Sequence, residues 1–152
     1  MWGAEPVETN FETISLSELE TRHLVPEQSA FHPVVLVVDD EAIIADTLVV
    51  ILKNQGYAAG AAYSGEAALE IARVVPPELL ISDVVMPGMS GIRLAIAITE
   101  TVPDCKVLLF SGQAATTDIL AEARDSGREF NVLTKPIHPS FLLERASSLL
   151  QG

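Results

Sequence analysis

Five polar residues stand where short apolar runs end. Asp39 and Asp40 follow "VVLVV" (34–38), Asp83 follows "LLIS" (79–82), Ser111 closes "KVLLFS" (106–111), and Lys135 follows "NVLT" (131–134). Three carboxylates brought together cannot all stay ionised without help. A hard divalent cation supplies it, because Mg²⁺ takes a couple of carboxylates, some backbone oxygen and water, and often engages phosphate. A carboxylate beside Mg²⁺, a lysine and a hydroxyl donor makes a phosphoryl-transfer site. In that chemistry Asp83 attacks phosphorus, the cation and Lys135 neutralise the transferring oxygens, and Ser111 donates a hydrogen bond to one of them. Taken singly, each residue has an ordinary explanation. Asp-Asp before a helix is a common N-terminal cap, Ser111 before Gly112 is turn chemistry, and Asp83 and Lys135 are surface charges. Only their convergence on one end of one sheet favours the site.

The chain has elements that would produce this convergence. "VVLVV", "LLIS", "KVLLFS" and "NVLT" read as strands, and the first is apolar enough to be buried on both faces. "YAAGAAY" (57–63) is a weaker strand, since Ala and Gly form strands poorly. Helices are predicted after them over 40–56, 64–75, 90–102, 116–127 and 138–150. In the first, Ile44, Leu48, Ile51 and Leu52 share a face, and Gly56 is a C-terminal stop. Ser64 and Ser90 cap the second and third, Pro76-Pro77 and Pro103 end them, and Pro139 sits in the favoured first turn of the last. Leu142, Leu143, Ala146, Leu149 and Leu150 form the buried stripe of that last helix. Five strands alternating with five helices give an α/β protein with a doubly wound parallel sheet and right-handed crossovers. With strand order 2-1-3-4-5, Asp39 and Asp40 lie beside Asp83 at the C-terminal strand ends, where such sheets collect their functional groups.

Composition narrows the classes. The 152 residues suit one domain with a short extension, 49% are hydrophobic, and the net charge is −12. Such a surface repels nucleic acid and anionic membranes as main partners. The single cysteine, Cys105, allows no internal disulfide, which fits a reduced, cytoplasmic setting. No apolar run reaches the roughly 18 residues of a membrane span, and no secretory signal is visible. The glycine motifs of dinucleotide and P-loop proteins are absent. Val85 stands where a haloacid-dehalogenase-type phosphatase would want a second acid, and the first loop is not the hydroxyl-rich loop of a flavin protein.

"VLVVDDE", "SDVVMPGMSG", "LLFSG" and "LTKP" together resemble the four signatures of bacterial response-regulator receiver domains. The resemblance covers about residues 33–152 and includes the spacings, 43 residues from Asp40 to Asp83 and 28 from Asp83 to Ser111. It implies a flavodoxin-like fold, the architecture shared by flavodoxins and chemotaxis receivers. It also implies phosphorylation of Asp83, with Mg²⁺ (or Mn²⁺) held by Asp39, Asp40, Asp83 and the backbone carbonyl of Val85. Ser111 and Lys135 become the switch hydroxyl and the phosphoryl-binding lysine, and the Lys135–Pro136 bond is expected to be cis. Losing Asp40 should weaken metal binding strongly, and losing Asp39 somewhat less. The implied protein is a two-component signalling switch, not an enzyme beyond its own phosphorylation and dephosphorylation. Its implied partners are a sensor histidine kinase or histidine phosphotransfer protein and an unknown downstream protein, with a dimer left open. The alternative is a receiver-like interaction module that does not use phosphorylation.

Two features depart from the family pattern. Receivers usually carry Tyr or Phe three residues before the lysine, and here that position holds Val132. The nearest ring is Phe130, a candidate switch aromatic if "GREFN" (127–131) reshapes the loop before the fifth strand. Otherwise Phe130 packs against the last helix, and output travels through Ser111 and the 112–118 loop. The second departure is the acidic extension over 1–32, with six glutamates against Arg22 and prolines at 6 and 26. It reads as a mobile arm with a short helix near 17–24 capped by Ser17 and Glu20. Ile14, Leu16, Leu19 and Leu24 are its apolar contacts should it dock, and Trp2 is expected to be exposed there. His23, His32 and His138 receive no ligand role, and His138 is expected to cap the last helix.

Overall fold

The computed structural model describes residues 32–112, 116–125, 127 and 130–152. The expected arm, with Trp2, His23 and the helix near 17–24, lies outside the described residues, apart from His32.

Ten elements alternate along the chain: β1 (Val34–Val38), α1 (Ala42–Asn54), β2 (Ala58–Ala62), α2 (Gly65–Val74), β3 (Leu79–Asp83), α3 (Gly91–Thr101), β4 (Lys106–Ser111), α4 (Thr116–Asp125), β5 (Asn131–Thr134) and α5 (Pro139–Gln151). All strand pairs are parallel, in the order β2-β1-β3-β4-β5. Strand side chains alternate between the faces, so the sheet divides its core by parity. Val35, Val37, Leu79, Ile81, Leu108 and Phe110 pack with Ala45, Val49 and Leu52 of α1 and Leu142 and Ala146 of α5. Leu36, Val38, Leu80, Val107 and Leu109 pack with Ala68 and Ala72 of α2, Ile92, Ala95 and Ile98 of α3, and Ala123 of α4. Each face is covered by helices, so the central strands have no wet side and read as continuous apolar runs. Truncating a fully buried core residue such as Ile98 to Ala is expected to cost about 2–5 kcal/mol.

The caps follow the sequence. Ser64 Oγ accepts from Ala67 N–H at 3.0 Å and Ser90 Oγ from Arg93 N–H at 3.2 Å. His138 Nδ1 accepts from Ser140 N–H at 3.2 Å, ahead of Pro139 in the first turn. Gly56, at φ +96°, follows the C-cap of α1. The buried stripe of α1 is rotated from the expected one. Ala45, Val49 and Leu52 are fully buried, whereas Ile44, Leu48 and Ile51 are half-buried at its margin. Ala45 has the smallest side chain of the group and lets the helix backbone approach the sheet closely, so the larger residues are displaced to the flank. The weak strand at 58–62 forms because all five of its residues pair with β1. Pairing and burial of Ala59 and Ala62 outweigh the poor strand propensity of Ala and Gly.

Candidate phosphoryl-transfer site

The C-terminal ends of β1, β3, β4 and β5 converge. Val38 is paired with Ser82, Asp83 with Phe110, and Ser111 with Thr134. Asp39 and Asp40 extend from β1 beside Asp83. One carboxylate oxygen from each of the three acids lies within 4.8 Å of the others. Asp39 is fully buried, Asp83 nearly so, and Asp40 exposed. Lys135 Nζ reaches Asp83 Oδ2 at 3.2 Å. Its ammonium also sits 5.3 Å from the centroid of the Phe110 ring, which the sequence reading missed. The available signal was that Phe110 precedes Ser111 on a strand neighbouring β3. The Lys135–Pro136 bond is cis, as the resemblance implies. Lys135 N–H donates to the Ser111 carbonyl at 2.9 Å, continuing the β4–β5 ladder into the site.

Asp39 is the unusual acid. Its Oδ1 accepts from Glu41 N–H at 2.9 Å, but Oδ2 is buried with no hydrogen-bond partner. Glu41 is the N-cap residue of α1 and makes no side-chain cap, and the Asp39 Oδ1 bond goes to the Glu41 N–H, one residue ahead of the helix. Burial raises the Asp39 pKa above the ordinary value of 3.8, the Glu41 hydrogen bond pulls it back, and the neighbouring Asp83 raises it again. A buried carboxylate with one oxygen lacking a donor, clustered with two more carboxylates, suits a cation ligand set.

Ser111 is fully buried, and its hydroxyl donates to the Gly112 carbonyl at 2.8 Å. Val85 lies two residues beyond Asp83 and is 65% exposed. The turn that follows contains two glycines with different duties. Gly88 has φ +75°, a conformation other residues resist. Gly91 instead supplies room, because a Cβ there would collide with the Asp83 carbonyl oxygen. Tyr63 Oη donates to Asp46 at 2.6 Å, tying the end of β2 to α1, a link not foreseen.

Phe130 is placed away from this cluster. It precedes β5, whose first residue Asn131 pairs with Leu108, so the ring is level with Val107, below Phe110 by three residues, roughly 10 Å of strand. It is half-buried and lines a cavity of about 370 Å³ together with Cys105, Val107 and Leu149 of α5. Val132 is half-buried in the same core face. Residues 128 and 129 of "GREFN" lie outside the described residues.

Comparison with known proteins gives a consistent result. Residues 35–147 match the response regulator receiver domain family. The chain is 34% identical over 116 residues to the response regulator receiver protein CpdR of Brucella abortus, covering 76% of this chain and 95% of that protein. It is 31% identical to the probable transcriptional regulatory protein TcrX of Mycobacterium tuberculosis, covering 77% of this chain but only 49% of that longer protein. A CheY-like receiver domain protein from Methanospirillum hungatei superposes with a TM-score of 0.73 at 25% identity, over 80% of this chain and 95% of that one.

Proposed function

This chain belongs to the response regulator receiver family of two-component systems, and on that premise we propose that it is a phosphorylation-dependent switch with Asp83 as acceptor. The observation that carries the reading is the cluster of Asp39, Asp40 and Asp83, in which a buried Asp39 oxygen has no hydrogen-bond partner. Asp39, Asp40, Asp83 and the carbonyl of Val85 would hold Mg²⁺ or Mn²⁺. Such a cation, when bound, neutralises charge on the transferring phosphoryl oxygens.

The chain's own residues supply the rest. An Asp83 oxygen forms a bond to phosphorus, and the bond from phosphorus to the donor breaks. The electron pair leaves on the donor, a histidine imidazole in a kinase or phosphotransfer protein. Lys135 keeps an ammonium beside the acceptor and pairs with the new phosphoryl oxygens. Ser111 turns its hydroxyl from the Gly112 carbonyl to one of them. The location of Phe130 toward the far end of β5 favours output through Ser111 and the chain that follows it over a ring switch. Residues 33–152 act as the receiver and residues 1–32 as an extension, in the cytoplasm, with an unidentified downstream protein as partner. No helix of the described residues is long and apolar enough to cross a membrane.

The test is intact mass after incubation with Mg²⁺ and a small acyl phosphate. One added phosphoryl group in the wild type and none in Asp83→Asn supports the reading. No gain with several donors would favour the interaction module.

A further inference from the structure

The turn between β3 and α3 is gripped from two sides. At its far end, Gly91 begins α3 pressed against β3. A Cβ there would collide with the Asp83 carbonyl oxygen and stand 2.9 Å from Val84 Cα. The Gly91 N–H donates to the Val84 carbonyl at 2.8 Å. The second grip comes from another element, α2. A Cβ on Gly65, its first residue, would lie 2.8 Å from Met89 Cβ and 3.0 Å from Met89 Cγ and Sδ. A Cβ on Gly88 would likewise meet Glu66 Oε2 at 3.1 Å. Carbon atoms in comfortable contact stand about 3.5–4.0 Å apart. Gly65 has no left-handed φ, so space and not backbone angle calls for glycine there. It is buried, and Met89 packs half-buried into the core face that α2 helps to form. The first turn of α2 is therefore a hard stop against the 84–90 turn.

Val85 lies in that turn between Asp83 and Met89. Mg²⁺ demands near-ideal octahedral geometry at about 2.0–2.1 Å, whereas Ca²⁺ accepts six to eight oxygens at about 2.3–2.6 Å in flexible arrangements. A displaced backbone ligand should therefore weaken Mg²⁺ more than Ca²⁺. We propose that the Gly65–Met89 contact is a positioning element that sets the height of the 84–90 turn and thereby the Mg²⁺ preference of the Asp39, Asp40 and Asp83 cluster. This rests on the reading of that cluster as a cation site. Neither Gly65 nor Met89 touches the cation in this account. They act through the turn.

The experiment is calorimetric titration of the full chain with MgCl₂ and with CaCl₂. Gly65→Ala should weaken Mg²⁺ binding about tenfold, the lower end of what supporting-shell changes cost, with a clearly smaller loss for Ca²⁺. Because the Cβ atoms themselves would clash, Met89→Ala leaves the conflict in place, and only Met89→Gly removes it. The Gly65→Ala/Met89→Gly double variant should therefore regain the Mg²⁺ affinity of Met89→Gly alone. Met89→Ala in the otherwise native chain loosens the grip from the turn side and should narrow the Mg²⁺-to-Ca²⁺ ratio, which keeps the idea testable if Gly65→Ala folds poorly. Unchanged Mg²⁺ affinity in Gly65→Ala, equal losses for both ions, or an unaltered ratio in Met89→Ala would overturn the proposal. Asp40→Ala separates the underlying reading: if that variant binds Mg²⁺ like the wild type, the cation site itself is wrong.

Discussion

The two ends of the sheet each bury an ionisable group, and they treat it in opposite ways. At the N-terminal end, Cys105 is buried just before β4, and burial pushes its thiol up to about 11. Its Sγ lies 3.3 Å from the Lys106 carbonyl, which satisfies the neutral form, and a backbone hydrogen bond at Leu80 offsets the desolvation only in part. At the C-terminal end, burial also raises Asp39, but there Asp83 and Asp40 add like charge and one oxygen has no partner. The buried polar residues among those described, Asp39, Ser82, Asp83 and Ser111, all lie at this end. The same desolvation produces an inert thiol at one end and an unfinished ligand set at the other. What differs is whether neighbours complete the hydrogen bonding.

The largest break in this contrast is expected at Lys135. Lys135→Ala removes the cation beside Asp83, and phosphorylation by a small acyl phosphate should slow about 10²–10³-fold, read by quenched-time mass spectrometry. Cys105 should show the inert end. Its raised pKa against the ordinary 9.0 makes alkylation at pH 8 roughly 10²-fold slower in the native chain than in denaturant. A native rate equal to the denatured one would place the thiol in solvent.

Two substitutions sharpen the upper end. Without Mg²⁺, Asp39→Asn should stabilise the fold by about 1 kcal/mol, because it removes a buried charge at a site held for function. Asp40→Ala, at an exposed position, should change stability by no more than about 0.5 kcal/mol. Both variants should lose the rise in melting temperature that Mg²⁺ gives the wild type. The smallest effect is on pH dependence. Since the folded Asp39 pKa is raised, the folded chain binds that proton more tightly than the unfolded chain. Metal-free stability from this group is then full below about 3.8 and is lost as pH rises through the raised value. Protons compete with the cation in the same window, so the Mg²⁺-induced gain should shrink as pH falls toward 4.

Asp39, Asp40, Asp83, Ser111 and Lys135 were legible because each ends an apolar run, and a parallel sheet aligns such ends. Ser64, Ser90 and His138 were legible as caps, because capping is local chemistry. The stripe of α1 was misjudged because hydrophobicity ranked Ile44 and Ile51 above Ala45, whereas close packing on the sheet favours the small residue. β2 was faint because its five small residues carry little strand signal and owe their state to pairing with β1. The duty of Gly91 was hidden because a collision with the Asp83 carbonyl oxygen depends on how α3 meets β3, which no spacing along the chain encodes. Phe130 was uncertain for a related reason. Phe130 shares the parity of Val132 along the chain, but only the register of β5 against β4 shows how far along the strand it lies.

The most direct measurement is the location of the phosphoryl group. The chain is incubated with a small acyl phosphate and Mg²⁺, reduced with borohydride, which converts a phosphorylated aspartate to homoserine, and sequenced by mass spectrometry. The account predicts homoserine at position 83 alone, and none when excess chelator replaces Mg²⁺. Homoserine at another acid, or at position 83 regardless of chelator, would contradict it.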